Sequence, residues 1–324
     1  MRCALTGATG FVGGELARQL RAAGHEVRVL ARTPAKAAGL ESRGCEVVTG
    51  DLDDVAALDA LLTADEPLDG FFHVAGWYRV GERDPRPGWT VNVDGTRNAL
   101  DAARRAGVRR IVYTSTLAVN SDTRGVVLTE DDSFTGRHIS TYDETKARAH
   151  AIADAYAAGG LPVVTVMPGG IYGPGDTSQV GELIAQVVAG RRPQVPRRGG
   201  RLVWAHVADV ARGHILALEQ GEPGRSYMLA GEPATLAELL TRTAQIAGTK
   251  GPLLVPDPLV QASARLMRPV SAVVPLPQTY HPEALRVSLA SYLGTRERAE
   301  RELGWRCRPL QEGLDETVAA LRAG

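Results

Sequence analysis

The chain is poor in several things, and each shortage removes a class of protein. It has only three cysteines in 324 residues, Cys3, Cys45 and Cys307, far apart and without a C-x-x-C pair. Such spacing suggests neither a disulfide framework nor a zinc site, so no metal is expected and a reducing compartment fits better. Cys3 falls in an apolar run, where a thiol behaves as a small hydrophobe. An excess of one charge is also missing: 37 basic residues balance 37 acidic ones. That leaves no electrostatic footprint for nucleic acid or an anionic membrane. No apolar run is long enough to span a bilayer, and no leader-like segment precedes the first expected strand. A cytoplasmic protein with a small-molecule partner is the expectation.

What the chain does have is concentrated first in its opening residues. An apolar run to Leu5 leads into Thr6-Gly7-Ala8-Thr9-Gly10-Phe11-Val12-Gly13-Gly14, and a helical pattern begins at Glu15. This reads as a buried strand, a glycine turn and a helix start. Gly7 allows the tight turn, Gly10 lets backbone N–H groups approach a pyrophosphate, and Gly13 permits close helix–strand packing. The spacing is G-x-x-G-x-x-G rather than G-x-G-x-x-G. An ordinary strand-to-helix turn is the plain alternative.

The first half then alternates strand and helix. Helix Phe11–Ala23 should stop at Gly24, and strands follow around Val27, Val47, Phe72 and Val112, with a long helix from Gly88 to Ala106. That rhythm implies right-handed crossovers and a parallel doubly wound sheet, whose ligands lie beyond the strand carboxyl ends. Those ends are Thr6, Ala31-Arg32, Gly50-Asp51, Ala75-Gly76 and Thr114-Ser115-Thr116. The second half is less regular. An apolar strand before Pro168-Gly169-Gly170 should be broken there, and Pro252 to Pro277 suits a small cap. The expected division is a nucleotide domain over 1–170 and mainly a cap over 171–324, with segments returning to the sheet.

Tyr142 and Lys146 carry the clearest chemistry. Ser140 as N-cap and Asp143 three residues on start a helix running to about Ala158, which puts tyrosine and lysine one turn apart on one face. An ammonium there would lower a phenol's pKa and suit it to proton exchange with a hydroxyl or carbonyl. An isolated Y-x-x-x-K is more often an ordinary surface pair. Hydroxyls in Thr114-Ser115-Thr116 could bond a substrate oxygen or simply cap a turn.

Seven motifs occur in order: TGATGFVG from Thr6, HVAG from His73, NVDGTRNAL from Asn92, YTSTLAV from Tyr113, YDETK from Tyr142, PGGIYGPGD from Pro168 and HVADVARGH from His206. Together they resemble an extended short-chain dehydrogenase/reductase, near the dihydroflavonol-reductase-like and hydroxysteroid-dehydrogenase-like reductases and the NAD(P)-dependent epimerases. The resemblance covers almost the whole chain, apart from Lys250 to Tyr280, and implies a Rossmann-type sheet with a smaller C-terminal substrate-binding cap.

By that resemblance Tyr142 exchanges a proton with substrate oxygen, Thr116 holds that oxygen, and Lys146 lowers the tyrosine pKa and binds the nicotinamide ribose. Thr116 follows from matching Val119; a one-residue shift would select Ser115. The cofactor track implied is Gly7, Thr9, Gly10, Phe11, Val12 and Gly13 at the pyrophosphate, then Asp51 and Leu52 at the adenine. It continues through Val74, Ala75, Gly76 and Thr114 to Tyr142, Lys146 and Pro168, Gly169, Gly170 and Ile171 at the nicotinamide. Asn92 should tie the long helix to a neighbouring strand. No carboxylate follows strand two, whereas Arg32 and Lys36 could hold a 2′-phosphate, so NADP(H) is the preferred cofactor and NAD(H) the alternative. Trp77, Tyr78, Trp89, Tyr172 and Trp204 are candidates to line a substrate pocket.

The function implied is a reductase or dehydrogenase interconverting a carbonyl and a secondary alcohol on a small apolar or aromatic molecule. A nucleotide-sugar epimerase holding NAD is the alternative. Against it, no arginine stands four before His206, although Arg197 or Arg198 could serve, and Leu117-Ala118 replaces the Asp-Glu pair of sugar dehydratases. A non-catalytic nucleotide sensor would need the glycine turn but not Tyr142 and Lys146. A homodimer is a further expectation of the resemblance.

Overall fold

The computed structural model describes residues 1–65, 67–82, 84–274 and 281–323, with only the backbone of Ala272 and Val273. Part of the expected Pro252–Pro277 cap, and Tyr280, therefore lie outside the described residues.

The first half builds β1 (Arg2–Thr6), α1 (Phe11–Ala22), β2 (Glu26–Ala31), α2 (Pro34–Glu41), β3 (Glu46–Thr49), α3 (Val55–Leu62) and β4 (Gly70–His73). After a loop come α4 (Arg86–Gly88), a π-helical segment Trp89–Asp94, α5 (Gly95–Ala106), β5 (Ile111–Thr114), a 3₁₀ turn Leu117–Asn120 and α6 (Thr141–Ala158). The long helix expected from Gly88 is thus interrupted. Its wider turns carry the Asn92 carboxamide to the backbone N–H and C=O of Trp77 and to Thr145 Oγ1. Such π segments recur where a helix must aim a side chain inward.

β6 (Val163–Pro168) runs one residue into the expected break, because proline can close a strand where no further ladder donor is needed. Then follow β7 (Gly170–Tyr172), α7 (Gln179–Val188), β8 (Gln194–Pro196), β9 (Arg201–His206), α8 (Val207–Gln220), β10 (Ser226–Leu229), β11 (Glu232–Thr235) and α9 (Leu236–Ala247). The chain ends with β12 (Leu253–Val255), α10 (Asp257–Val273), α11 (Pro282–Val287), α12 (Glu297–Leu303) and α13 (Leu310–Ala323).

Seven strands pair in the order β10-β6-β5-β4-β1-β2-β3, all parallel. Parallel sheets need cover on both faces, and two core clusters supply it. One joins Leu5, Leu16, Leu20 and Val29 to Ile215 and Trp305, and the other joins Leu58, Leu61 and Phe71 to Leu100 and Ala153. β10 and the helices α8 and α12 bring residues beyond 170 into this sheet layer. A smaller sheet, β11-β9-β7, has its own core around Trp204 and Tyr172. Strand order reverses between β1 and β4, the crevice where such sheets take ligands.

Candidate active site

The glycine turn sits at that crevice. Gly7 has φ +80, and a Cβ on it would come 2.6 Å from the Ala75 amide, so the β1 and β4 loops approach as only glycine allows. A Cβ on Gly13 would collide with the Gly7 carbonyl. Gly10 caps α1 without any side-chain acceptor, and the first turn holds no carboxylate. Unsatisfied N–H groups and the positive dipole end therefore face outward beside Thr9, Phe11 and Val12, a fit for a pyrophosphate.

Farther along the strand ends, Arg32 is 72% exposed and lies 3.7 Å from the Asp51 carboxylate. The two expected adenosine contacts thus face each other, with Lys36 exposed nearby on α2. Asp51 also accepts from the Leu52 amide at 2.8 Å. Leu52 itself is buried and packs against Gly95, so its side chain anchors the loop.

The β5–α6 seam holds the reactive groups. Ser140 accepts from the Asp143 N–H at 3.0 Å, starting α6 as its sequence implies. One helical turn later Lys146 is buried, with Nζ donating to the Thr114 carbonyl at 2.7 Å and the Tyr113 hydroxyl at 3.1 Å. Burial brings this ammonium down to about 7. Tyr142 stands beside Thr116, and its ring meets Tyr78 edge-on at 4.8 Å between centroids. Burial and the neighbouring Tyr78 push the Tyr142 phenol up, with the nearby Thr116 hydroxyl opposing. The expected direct effect of Lys146 on that phenol is therefore corrected: the lysine is turned onto the Tyr113 hydroxyl and the Thr114 carbonyl of β5, and the group that eases Tyr142 is Thr116.

Ser115 points elsewhere. Its hydroxyl bonds His150 Nδ1 at 2.7 Å, while His150 Nε2 lies 3.5 Å from Asp154. Of the two adjacent hydroxyls, Thr116 is the one that eases the Tyr142 phenol. Thr114 bonds His214 through its hydroxyl and leaves its carbonyl to Lys146. Behind the site, Gly169 and Gly170 lie so close to Val203 and Trp204 that a Cβ on either would clash. Pro168 to Ile171 therefore form a smooth backbone strip beside the seam.

The aromatic candidates divide. Tyr78 is exposed beside Tyr142, Trp77 covers Gly88, and Trp89 opens the π segment half-buried. Tyr172 and Trp204 are corrected from pocket wall to core. They are 0% and 2% exposed, with the Tyr172 hydroxyl on the Leu310 carbonyl and the Trp204 indole on that of Ala234. Both polar tips are satisfied internally, so nothing directs them to a ligand.

Several site neighbours have no motif of their own. Glu283 on α11 accepts from the Thr141 amide at 2.6 Å and the Gly81 amide at 3.3 Å, holding the start of α6. The Tyr292 hydroxyl donates to Asp143, whose burial raises it to about 6. His150 alone was hinted at, since it continues the four-residue stride of Tyr142 and Lys146. Among the described residues, no group of histidine, cysteine and carboxylates could hold a metal, and no helix is long and apolar enough to cross a membrane.

Residues 3–230 match the model of the NAD dependent epimerase/dehydratase family. Sterol demethylase protein B of Methylococcus capsulatus is 33% identical over 94% of this chain and 93% of its own. A 4-hydroxy-2-methyl-3-oxo-4-farnesyl-3,4-dihydroquinoline-1-oxide ketoreductase of Stigmatella aurantiaca is 33% identical over 100% and 98%. Among solved structures, a UDP-glucose 4-epimerase of Thermus thermophilus in complex with NAD superposes with a TM-score of 0.81 at 26% identity, covering 100% of both chains.

Proposed function

The chain belongs to the NAD-dependent epimerase/dehydratase family and is an NAD(P)-dependent oxidoreductase of the extended short-chain dehydrogenase/reductase type, and from that premise we propose that it reduces a ketone or aldehyde of a small apolar or aromatic molecule with NADPH. The observation that carries this reading is the place of Tyr142 on the first turn of α6, its ring edge-on to Tyr78 and its phenol beside Thr116, where burial keeps it neutral. A neutral phenol is a proton donor, which is what a carbonyl oxygen needs as its carbon is reduced. Thr116 and Tyr142 would hold that oxygen between them. Lys146, anchored on the Thr114 carbonyl, would bond the cofactor ribose.

A bound nicotinamide supplies the hydride. The open α1 terminus would hold the pyrophosphate, and Pro168 to Ile171 would flank the nicotinamide ring. Arg32, tethered only by an exposed 3.7 Å contact to Asp51, is free to turn to a 2′-phosphate, with Lys36 adding charge. The ketoreductase among the relatives supports a carbonyl substrate with a large apolar portion.

The test is an NADPH-consumption screen over ketones and aldehydes of graded size, with the dinucleotide content of the purified protein measured alongside. Stoichiometric loss of NADPH with alcohol formation is expected. Protein that retains its dinucleotide and turns over nucleotide-sugars without net NADPH loss would overturn the reading in favour of an epimerase.

A further inference from the structure

The loop after β4 brings Tyr78 onto Tyr142, and it is strapped to α6 at both ends. At one end the Asn92 carboxamide accepts from the Trp77 amide at 2.7 Å and donates to the Trp77 carbonyl. The same carboxamide donates to Thr145 Oγ1 on α6 at 2.9 Å. At the other end the Gly81 amide donates to Glu283 Oε2 at 3.3 Å, while Glu283 Oε1 accepts from the Thr141 amide at 2.6 Å. Gly81 has φ +80, and a Cβ on it would come 2.8 Å from the His281 Cβ, so its backbone lies directly against the start of α11. Between the two straps Tyr78 meets the Tyr142 ring edge-on and stays 54% exposed. A second tie joins α6 to the chain beyond α11, since the Tyr292 hydroxyl donates to the Asp143 carboxylate at 3.0 Å.

We infer that Glu283 is a positioning residue, which clamps the Tyr78 loop and the Tyr142 backbone to the cap and so sets the proton donor and its wall together. This rests on the reductase reading above, in which Tyr142 gives the proton. Thr141 is the first residue of α6 and directly precedes Tyr142. Its N–H is one of the donors that a helix leaves unpaired, and a carboxylate there also meets the positive end of the helix dipole. Starting the helix does not require that carboxylate. Ser140 already caps the Asp143 amide, and Asp143 and Glu144 already put acidic side chains in the first turn. Glu283 comes from 142 positions away and adds what a local cap cannot, a fixed distance between α6, the loop and the cap. Its own backbone is held at the head of α11, where its N–H donates to His281 Nδ1 at 3.4 Å. The two carboxylate oxygens serve different elements, so a side chain with one acceptor oxygen can hold only one of them.

The clamp can be read without substrate. In Glu283→Ala, hydrogen exchange at the Thr141 and Gly81 amides should quicken roughly 10-fold, the scale of a lost bond to a charged group. In Glu283→Gln one of the two amides should keep its protection. With tyrosine rings labelled with ¹³C, the Tyr142 signal, assigned with Tyr142→Phe, should shift in both variants as the Tyr78 ring moves away.

Turnover then reads the positioning. On a carbonyl substrate kcat should fall roughly 10-fold in Glu283→Gln and up to about 100-fold in Glu283→Ala, while NADPH affinity stays within about twofold. Should Glu283→Ala not fold, Glu283→Gln carries the same test. Unchanged exchange at both amides would overturn the inference, and so would quickened exchange with kcat and the Tyr142 signal unmoved. If the native protein consumes no NADPH with any carbonyl, the reductase reading fails instead, and the exchange and ring signals still decide whether Glu283 sets Tyr142.

Discussion

The β5–α6 seam and the α10–α11 cap meet at one cleft and are built on opposite terms. In the seam, three consecutive residues are each engaged: Thr114 by Lys146 and His214, Ser115 by His150, and Thr116 by the Ala118 amide. Behind them Val112, Tyr113, Ala149 and Ala153 are fully buried. The cap touches the same place through Glu283, yet α10 exposes Leu259 and Leu266. Arg265, Arg268 and Arg286 line a space of about 400 Å³ and have no ion pair among the described residues. Reacting groups need fixed geometry, and the seam provides it by giving each side chain a second partner.

The contrast can be broken most directly at Tyr142. Tyr142→Phe should lower kcat on the order of 10³-fold while leaving NADPH affinity within about twofold, since the phenol moves a proton rather than anchors the cofactor. Steady-state kinetics beside a fluorescence titration would read both, and undiminished turnover would restore the sensor alternative. Next in size is Trp204→Ala, which should cost about 3–5 kcal/mol in denaturant unfolding, because the indole is core and its N–H is bonded to Ala234. A loss confined to substrate KM would return Trp204 to the pocket.

The buried lysine gives a signed pH effect. Its folded pKa is lowered to about 7 from 10.5, so between these values the unfolded chain binds more protons and stability rises with pH. The clean window is about pH 7 to 9, because Cys3, raised from 9.0 to about 12, contributes with opposite sign above it. Lys146→Met should flatten that slope in chemical unfolding, and an unchanged slope would mean Lys146 keeps its charge when folded.

Smaller effects sharpen the comparison at its edges. Arg32→Ala should weaken NADPH binding roughly 10- to 100-fold and leave NADH nearly unchanged, as loss of a charge-assisted phosphate contact predicts. Equal weakening of both would assign Arg32 no phosphate role. Smallest should be Leu266→Ser on the exposed face of α10, which ought to leave kcat alone and change KM by no more than a few-fold. A fall in kcat approaching that of Tyr142→Phe would show that cap and seam are mechanically one.

Much of the sheet half is legible because buried parallel strands are apolar runs ended by glycine or polar turns. The centres read this way, Val27, Val47, Phe72 and Val112, fall inside strands β2 to β5. The α6 start is equally legible, since Ser140 and Asp143 act within one turn. Trp204 and Tyr172 mislead because an aromatic near a strand end has the same local pattern whether it faces a ligand or a second sheet. The π segment is hidden for a related reason: its cause is Asn92 reaching Trp77, a contact outside the helix.

Spacing along the chain thus determined the glycine turn, the helical Tyr142–Lys146 pair and the absence of a carboxylate at the end of β2. Each depends on residues a few positions apart, and backbone geometry fixes such distances before any tertiary contact forms. Tertiary structure decided where the side chains turned: Lys146 onto β5 rather than Tyr142, Ser115 onto His150 with Thr116 left beside the phenol, and Glu283 under Thr141. It also brought Thr6, His73 and Thr96 into one buried hydrogen-bonded set, with Tyr113 stacked on His73. Those residues meet because the strand order places β1, β4 and β5 side by side, a property of the folded sheet that no local stretch of sequence carries.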